Sequence, residues 1–202
     1  NDFISFVEEI SELSLISTGK MEKIVNAIMK NKKKVSENLV SLIAKIGEKI
    51  TLRRSDYIGS EKTVNFSYTH SAEKKDLGKI GVLISLETNK KKDDLLEFGK
   101  QLAMHIAATS PLSIDKDGLD QNVLKKEKEI ITEELKNSGK DGKIVEKISL
   151  GKLNKFISEN TLLNQEWIME PKKKVKDIIK EISGSDQIII KKFVRFKVGE
   201  GI

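Results

Sequence analysis

Apolar residues recur along this chain with two different periods, and the switches between them mark out the elements. Residues 2–13 place Phe3, Phe6, Val7, Ile10 and Leu13 at the three-and-four spacing of a helix stripe. Residues 20–30 repeat that spacing with Met21, Ile24, Val25, Ile28 and Met29, and 34–46 with Leu39, Leu42, Ile43 and Ile46. Gly47 follows, where a left-handed residue commonly closes a helix. Ile50 and Leu52 then alternate with Lys49, Thr51 and Arg53, which predicts a half-buried strand over 49–58. "TVNFSYTH" (63–70) sets Val64, Phe66 and Tyr68 on one face, and "GKIGVLISLE" (78–87) is a short, mostly apolar strand. The polar "SAEKKDLG" between them reads as a hairpin connection.

Helix period returns over 93–108 through Leu95, Leu96, Leu102, Ala103 and Ile106, and Pro111 stops it. Two long charged helices follow, at 120–137 and 143–159, separated by "SGKDG". Val123, Leu124, Ile130, Ile131 and Leu135 stripe the first; Ile144, Val145, Ile148, Leu153, Phe156 and Ile157 stripe the second. A tight glycine-containing turn argues for an antiparallel helical hairpin. Its apolar seam is narrow and most other positions are Lys or Glu, so a projecting coiled-coil arm is expected rather than a core pair. After "LLNQEWIMEP" a short helix is predicted over 172–182, and "QIIIKKFVRFKVGEGI" closes the chain as a strand. Helices and strands come in blocks without βαβ alternation, which predicts the α+β class with small antiparallel sheets.

Composition narrows the function. The 202 residues are 34% charged, but both signs are interspersed and the net charge is only +6. Lys32–Lys34, Lys90–Lys92 and Lys172–Lys174 lie beside predicted helix ends with acids nearby, and read as solvated termini; polyanion contact is the alternative. With no cysteine, disulfides and thiolate metal sites are excluded. No apolar run approaches a membrane span and no secretory leader is visible, so a cytoplasmic setting is expected. The chain starts at Asn1 and stops straight after a strand, as a piece of a longer protein would.

No constellation for chemistry emerges. The Gly-Lys pairs at 19, 78, 139 and 151 lack the distal glycine or the hydroxyl residue of a phosphate loop. Neither a Gly-x-Ser-x-Gly elbow nor a His-Glu-x-x-His zinc motif occurs. Of the two histidines, His105 borders a buried helix face and reads as a packed, hydrogen-bonded residue, whereas His70 ends a strand. Trp167 is either a packing anchor or a contact aromatic, since such residues are enriched at interfaces. A binding protein is expected, with no catalytic, metal-binding or cofactor-binding residues.

Five stretches in order, "LIAKIGEKITLRR", "SYTH" followed by "GKIGVLISL", "LAMHIAATSPL", "GKLNKFISENTLLNQEWIMEP" and "VRFKVGEGI", resemble the elongation factor Ts family. These are the guanine-nucleotide exchange factors of elongation factor Tu in bacterial-type translation. The resemblance implies a core of two small α+β subdomains. Residues 1–60 would be the remainder of the first (helices plus one strand), and 61–202 the second, with a helical hairpin inserted at 120–160. It implies contact with the GTPase domain and neighbouring domains of elongation factor Tu, GDP release by disturbance of the magnesium and phosphate end of its site, and no direct nucleotide binding, membrane contact or cofactor. A homodimer through 120–160 is the alternative use of the hairpin. The family's contact positions fall on Ile46, Gly47, His70, Ile168 and Met169. Gly47 would then both cap its helix and clear the way for a partner.

Three departures accompany the resemblance. The family's amino-terminal helical domain and Thr-Asp-Phe-Val segment have no counterpart, and two strands of the first subdomain are expected upstream. Residues 1–202 alone are therefore expected to exchange nucleotide poorly. Asp2-Phe3 aligns better with the helix after that segment. Glu166-Trp167 stands where the family often has Pro-Phe, and the "SAEKKDLG" turn is longer than usual.

Overall fold

The computed structural model describes residues 2–136 and 142–201. The chain divides into two compact units, Asn1–Tyr57 and Ile58–Ile202.

The smaller unit holds α1 (Asp2–Ile16), α2 (Met21–Asn26) and α3 (Val35–Ile46). Their stripes meet as predicted: Phe6, Ile10, Ile24, Met29, Val35 and Leu42 form its buried core. The second helix ends earlier than its periodicity suggests, because Ala27 turns extended and its carbonyl accepts the Val35 N–H (3.0 Å). Ile28 then bridges to Lys34. The strand expected over 49–58 does not form. Ile50 and Leu52 do pack against the core, so the alternation marks the inward side, but a strand needs a neighbouring strand to form a ladder with and this segment forms no ladder among the described residues.

In the larger unit, β1 (Thr63–Lys74), β2 (Leu77–Glu87) and β5 (Ile189–Lys197) form an antiparallel sheet in the order β1-β2-β5. The β1–β2 hairpin is tighter than the eight-residue polar connection implied. Strand pairing continues to Lys74–Leu77, leaving a two-residue turn at Lys75-Asp76, with Asp76 at φ 62°. Helix α4 (Leu96–Thr109) lies across one face and buries Phe98, Leu102, Ala103 and Ile106 against Phe66, Val82, Ile84 and Leu86. Two elements escaped the sequence: β3 (Glu166–Trp167) and β4 (Glu170–Lys174), an antiparallel pair too short to show a period. They occupy the start of the predicted 172–182 helix, so α7 begins at Val175 and runs to Ser183. The chain is of the α+β class, with short antiparallel sheets packed against helices.

Helices α5 (Gln121–Lys136) and α6 (Gly142–Asn160) lie side by side, with Lys152 paired to Glu134 across them. The "SGKDG" turn falls on residues 138–142, of which 138–141 lie outside the described residues. Ile131, Leu135 and Ile157 are buried on these helices and belong to neither core. The insertion is closed at its base by backbone hydrogen bonds from Leu112 to Asn160, Leu162 to Ser113 and Leu163 to Ile114 (each 2.9 Å).

Gly99 sets how closely α4 approaches the sheet. A Cβ there would fall 2.2 Å from the Phe66 ring, and Phe66 is buried. Gly99→Ala is expected to cost about 1–3 kcal/mol through overpacking. Urea denaturation checks this, and a variant as stable as the parent would mean that helix and strand separate freely.

Candidate functional site

Five residues were singled out, and they occupy three places. In the smaller unit, Leu42 on α3 points into the core while Ile46, one turn later, is 43% exposed. Gly47 ends α3 at φ 79°, its N–H donating to the Ile43 carbonyl (2.9 Å). That backbone is strained for any residue with a side chain. A Cβ at Gly47 would meet nothing within 4 Å, so the glycine answers the helix terminus and leaves open space beside Ile46.

His70 lies on β1 opposite Ile80, on the face that carries Phe66 and Tyr68, but beyond the buried part of it. Its ring is exposed, and Nδ1 lies 3.0 Å from the Tyr68 hydroxyl. Tyr68 packs against the core, so it fixes the histidine from behind.

Ile168 and Met169 together form the two-residue turn between β3 and β4, closed by the pairing of Trp167 with Glu170. Met169 is 44% exposed and Ile168 half-buried. Beneath the turn is a buried polar group whose partners the sequence could not reveal. His105, fully buried on α4, stacks on Trp167 (5.2 Å between ring centroids, 19° between planes). Trp167 is thus a packing anchor, 3% exposed. The Ile168 N–H donates to His105 Nδ1 (3.4 Å), which leaves the imidazole proton on Nε2, donating to Gln165 Oε1 (3.0 Å). Gln165 Nε2 donates to the Glu159 carbonyl (2.7 Å), and the Thr109 hydroxyl sits 2.9 Å from both the His105 carbonyl and Gln165 Oε1. Burial pushes the His105 pKa down against the weaker opposing effect of the Gln165 bond.

Among the described residues, no three His, Cys, Asp or Glu side chains converge to hold a metal ion, and no buried side-chain polar atom lacks a partner. No described helix is long and apolar enough to cross a membrane. What the first and third places offer a ligand is apolar contact, and the second offers an exposed imidazole.

The architecture is that of an α+β protein with an inserted helical hairpin. The chain belongs to the elongation factor Ts family: the family model described as "Elongation factor TS" matches residues 1–200. It is 36% identical to elongation factor Ts of Maricaulis maris (strain MCS10), an alignment covering 99% of this chain and 66% of that protein. Elongation factor Ts of Caulobacter vibrioides is 37% identical and that of Rickettsia felis 38%, each over 99% of this chain and 65% of the relative. The chain thus spans slightly less than two thirds of the length of these relatives.

The lowered pKa of His105 has a consequence for stability. As pH falls, the unfolded chain binds the proton before the folded one does. The contribution of His105 is therefore full above about pH 6.5 and is lost as pH falls towards its folded pKa, by at most about 1.4 kcal/mol per pH unit. Urea titrations at several pH values check this: His105→Asn should flatten the slope in that window, and an unchanged slope would contradict a neutral buried imidazole.

Proposed function

We propose that this chain binds elongation factor Tu and promotes release of GDP from it, as a guanine-nucleotide exchange factor of translation elongation in the cytoplasm. The observation that carries this reading is the family match along residues 1–200. The exposure of Ile46 and Met169 supports it further, because buried residues could not meet a partner.

The proposed contacts are Ile46, Gly47, His70, Ile168 and Met169, reaching the GTPase domain and neighbouring domains of elongation factor Tu. No covalent step is needed. If the chain binds the nucleotide-free partner more tightly than the GDP-bound one, linkage requires that it weaken GDP binding by the same factor. Each tenfold of release corresponds to about 1.4 kcal/mol of differential affinity. A few apolar side chains suffice for that, since burying one large aliphatic side chain contributes about 1.5–3 kcal/mol.

The hairpin supports a second reading, self-association through 120–160, because Ile144 and Leu150 are exposed on it. Native mass measurement with and without those residues separates this from the first reading.

Three outcomes test the docking reading. The chain should bind nucleotide-free elongation factor Tu more tightly than the GDP-loaded form in calorimetry, and equal affinities would sink the proposal. Ile46→Ala should leave the urea midpoint nearly unchanged, because the side chain is half exposed, yet weaken that affinity about tenfold, as truncation of a central contact does. Gly47→Ala should add the strain of a left-handed alanine, about 1 kcal/mol, on top of the binding loss.

A further inference from the structure

A two-stranded ribbon as short as β3–β4 has little stability of its own, so something else must aim its turn. The ribbon is anchored at three points. Trp167 is buried between His105 and Phe98, whose ring centroid lies 6.2 Å away. The Gln165 carbonyl accepts the Val175 N–H (3.0 Å), which ties the start of β3 to the start of α7. The turn itself is held by the Ile168 N–H bond to His105 Nδ1. That bond exists only while Nδ1 carries no proton. Gln165 selects this state: its Nε2 is committed to the Glu159 carbonyl, so its Oε1 faces His105 Nε2 and accepts a hydrogen bond from it.

We infer that His105 and Gln165 are positioning residues that aim the Ile168-Met169 turn at the partner, through the neutral Nε2–H tautomer of His105. This rests on the docking role proposed above for that turn. Neither residue touches the partner. His105 presents one lone pair to the turn backbone, and Gln165 decides which ring nitrogen keeps it. The stacked Trp167 then transmits the ring's orientation to the ribbon, so Met169 stands out at a fixed angle rather than sampling many. Pre-organisation of this kind reduces the ordering cost of binding.

Three measurements on the full chain test this. In the unaltered protein, nitrogen-15 spectra of His105 should show Nε2 protonated and Nδ1 bare; the opposite tautomer overturns the inference without any mutation. His105→Leu removes both bonds, His105→Gln keeps a donor near Nε2, and His105→Asn keeps an acceptor near Nδ1. Hydrogen exchange at the Ile168 amide should quicken about tenfold in the Leu and Gln variants, and affinity for nucleotide-free elongation factor Tu should fall about tenfold with it. His105→Asn should restore much of both. Unaltered Ile168 exchange in His105→Leu, or quickened exchange with unaltered affinity, overturns the positioning role. Met169→Ala, measured alongside, tests the docking reading separately: if it binds as the parent does, the turn is no contact and that reading fails, whatever His105 does to the amide.

Discussion

Helix α4 lies flat on the three-stranded sheet because Gly99 places no side chain between it and the Phe66 ring. That close approach lets Leu102, Ala103 and Ile106 reach Val82, Ile84 and Leu86, and all six are fully buried or nearly so. Further elements of the larger unit add to this layer. α7 adds Val175, Ile178 and Ile179 to the same core, and Arg195 on β5 donates from Nε to the Ala107 carbonyl (3.2 Å) near the end of α4. A helix standing farther from the sheet would leave voids along the whole interface, and interiors tolerate few.

The same helix carries the one deeply buried imidazole, and that placement joins structure to display. His105 faces away from solvent and meets three segments distant in sequence: the end of α6 through Gln165, the ribbon through Trp167, and the turn through the Ile168 amide. A buried polar group is costly unless paired, and here both ring nitrogens are. The helical arm between α4 and β3 joins this network at the end of α6, where the Glu159 carbonyl accepts from Gln165. It leaves and returns through adjacent backbone segments hydrogen-bonded to each other.

Much of this fold was legible in the chain. Long periodic stretches read correctly because their burial is local: α1, α3, α4, the arm and the three longer strands each carry enough residues to reveal a period. The 49–58 segment shows the limit. Its alternation marked the right inward side, yet pairing is a property of two segments, and none came to meet it among the described residues. The candidate contacts divide in the same way. Gly47 was readable as a helix terminus from the stripe before it. That Ile46 ends the stripe half outside the core, and that Gln165 meets His105 from 60 positions further along the chain, leaves no local trace.

One string of residues occurs twice and separates the two kinds of information. Ile-Met-x-x-Lys-Lys-Lys-Val stands at 28–35 and again at 168–175. Both copies end in a fully buried valine that opens a helix, and in both an acid three residues after the last lysine accepts that lysine's backbone N–H: Glu37 for Lys34, Asp177 for Lys174. Those features are local, resting on a helix start and an apolar residue behind it, so the chain specified them twice. The methionines differ. Met29 is buried in the core of its unit, its N–H bonded to the Lys33 carbonyl, while Met169 stands exposed at the turn of a ribbon. The difference lies in what each unit buries nearby. In the larger unit the residue before the string, Trp167, fills the interior position on His105 and Met169 is exposed, while in the smaller unit the residue before the string is Ala27 and Met29 is buried. Which of two like methionines stands exposed is thus settled by volume and hydrogen-bond partners brought from far along the chain.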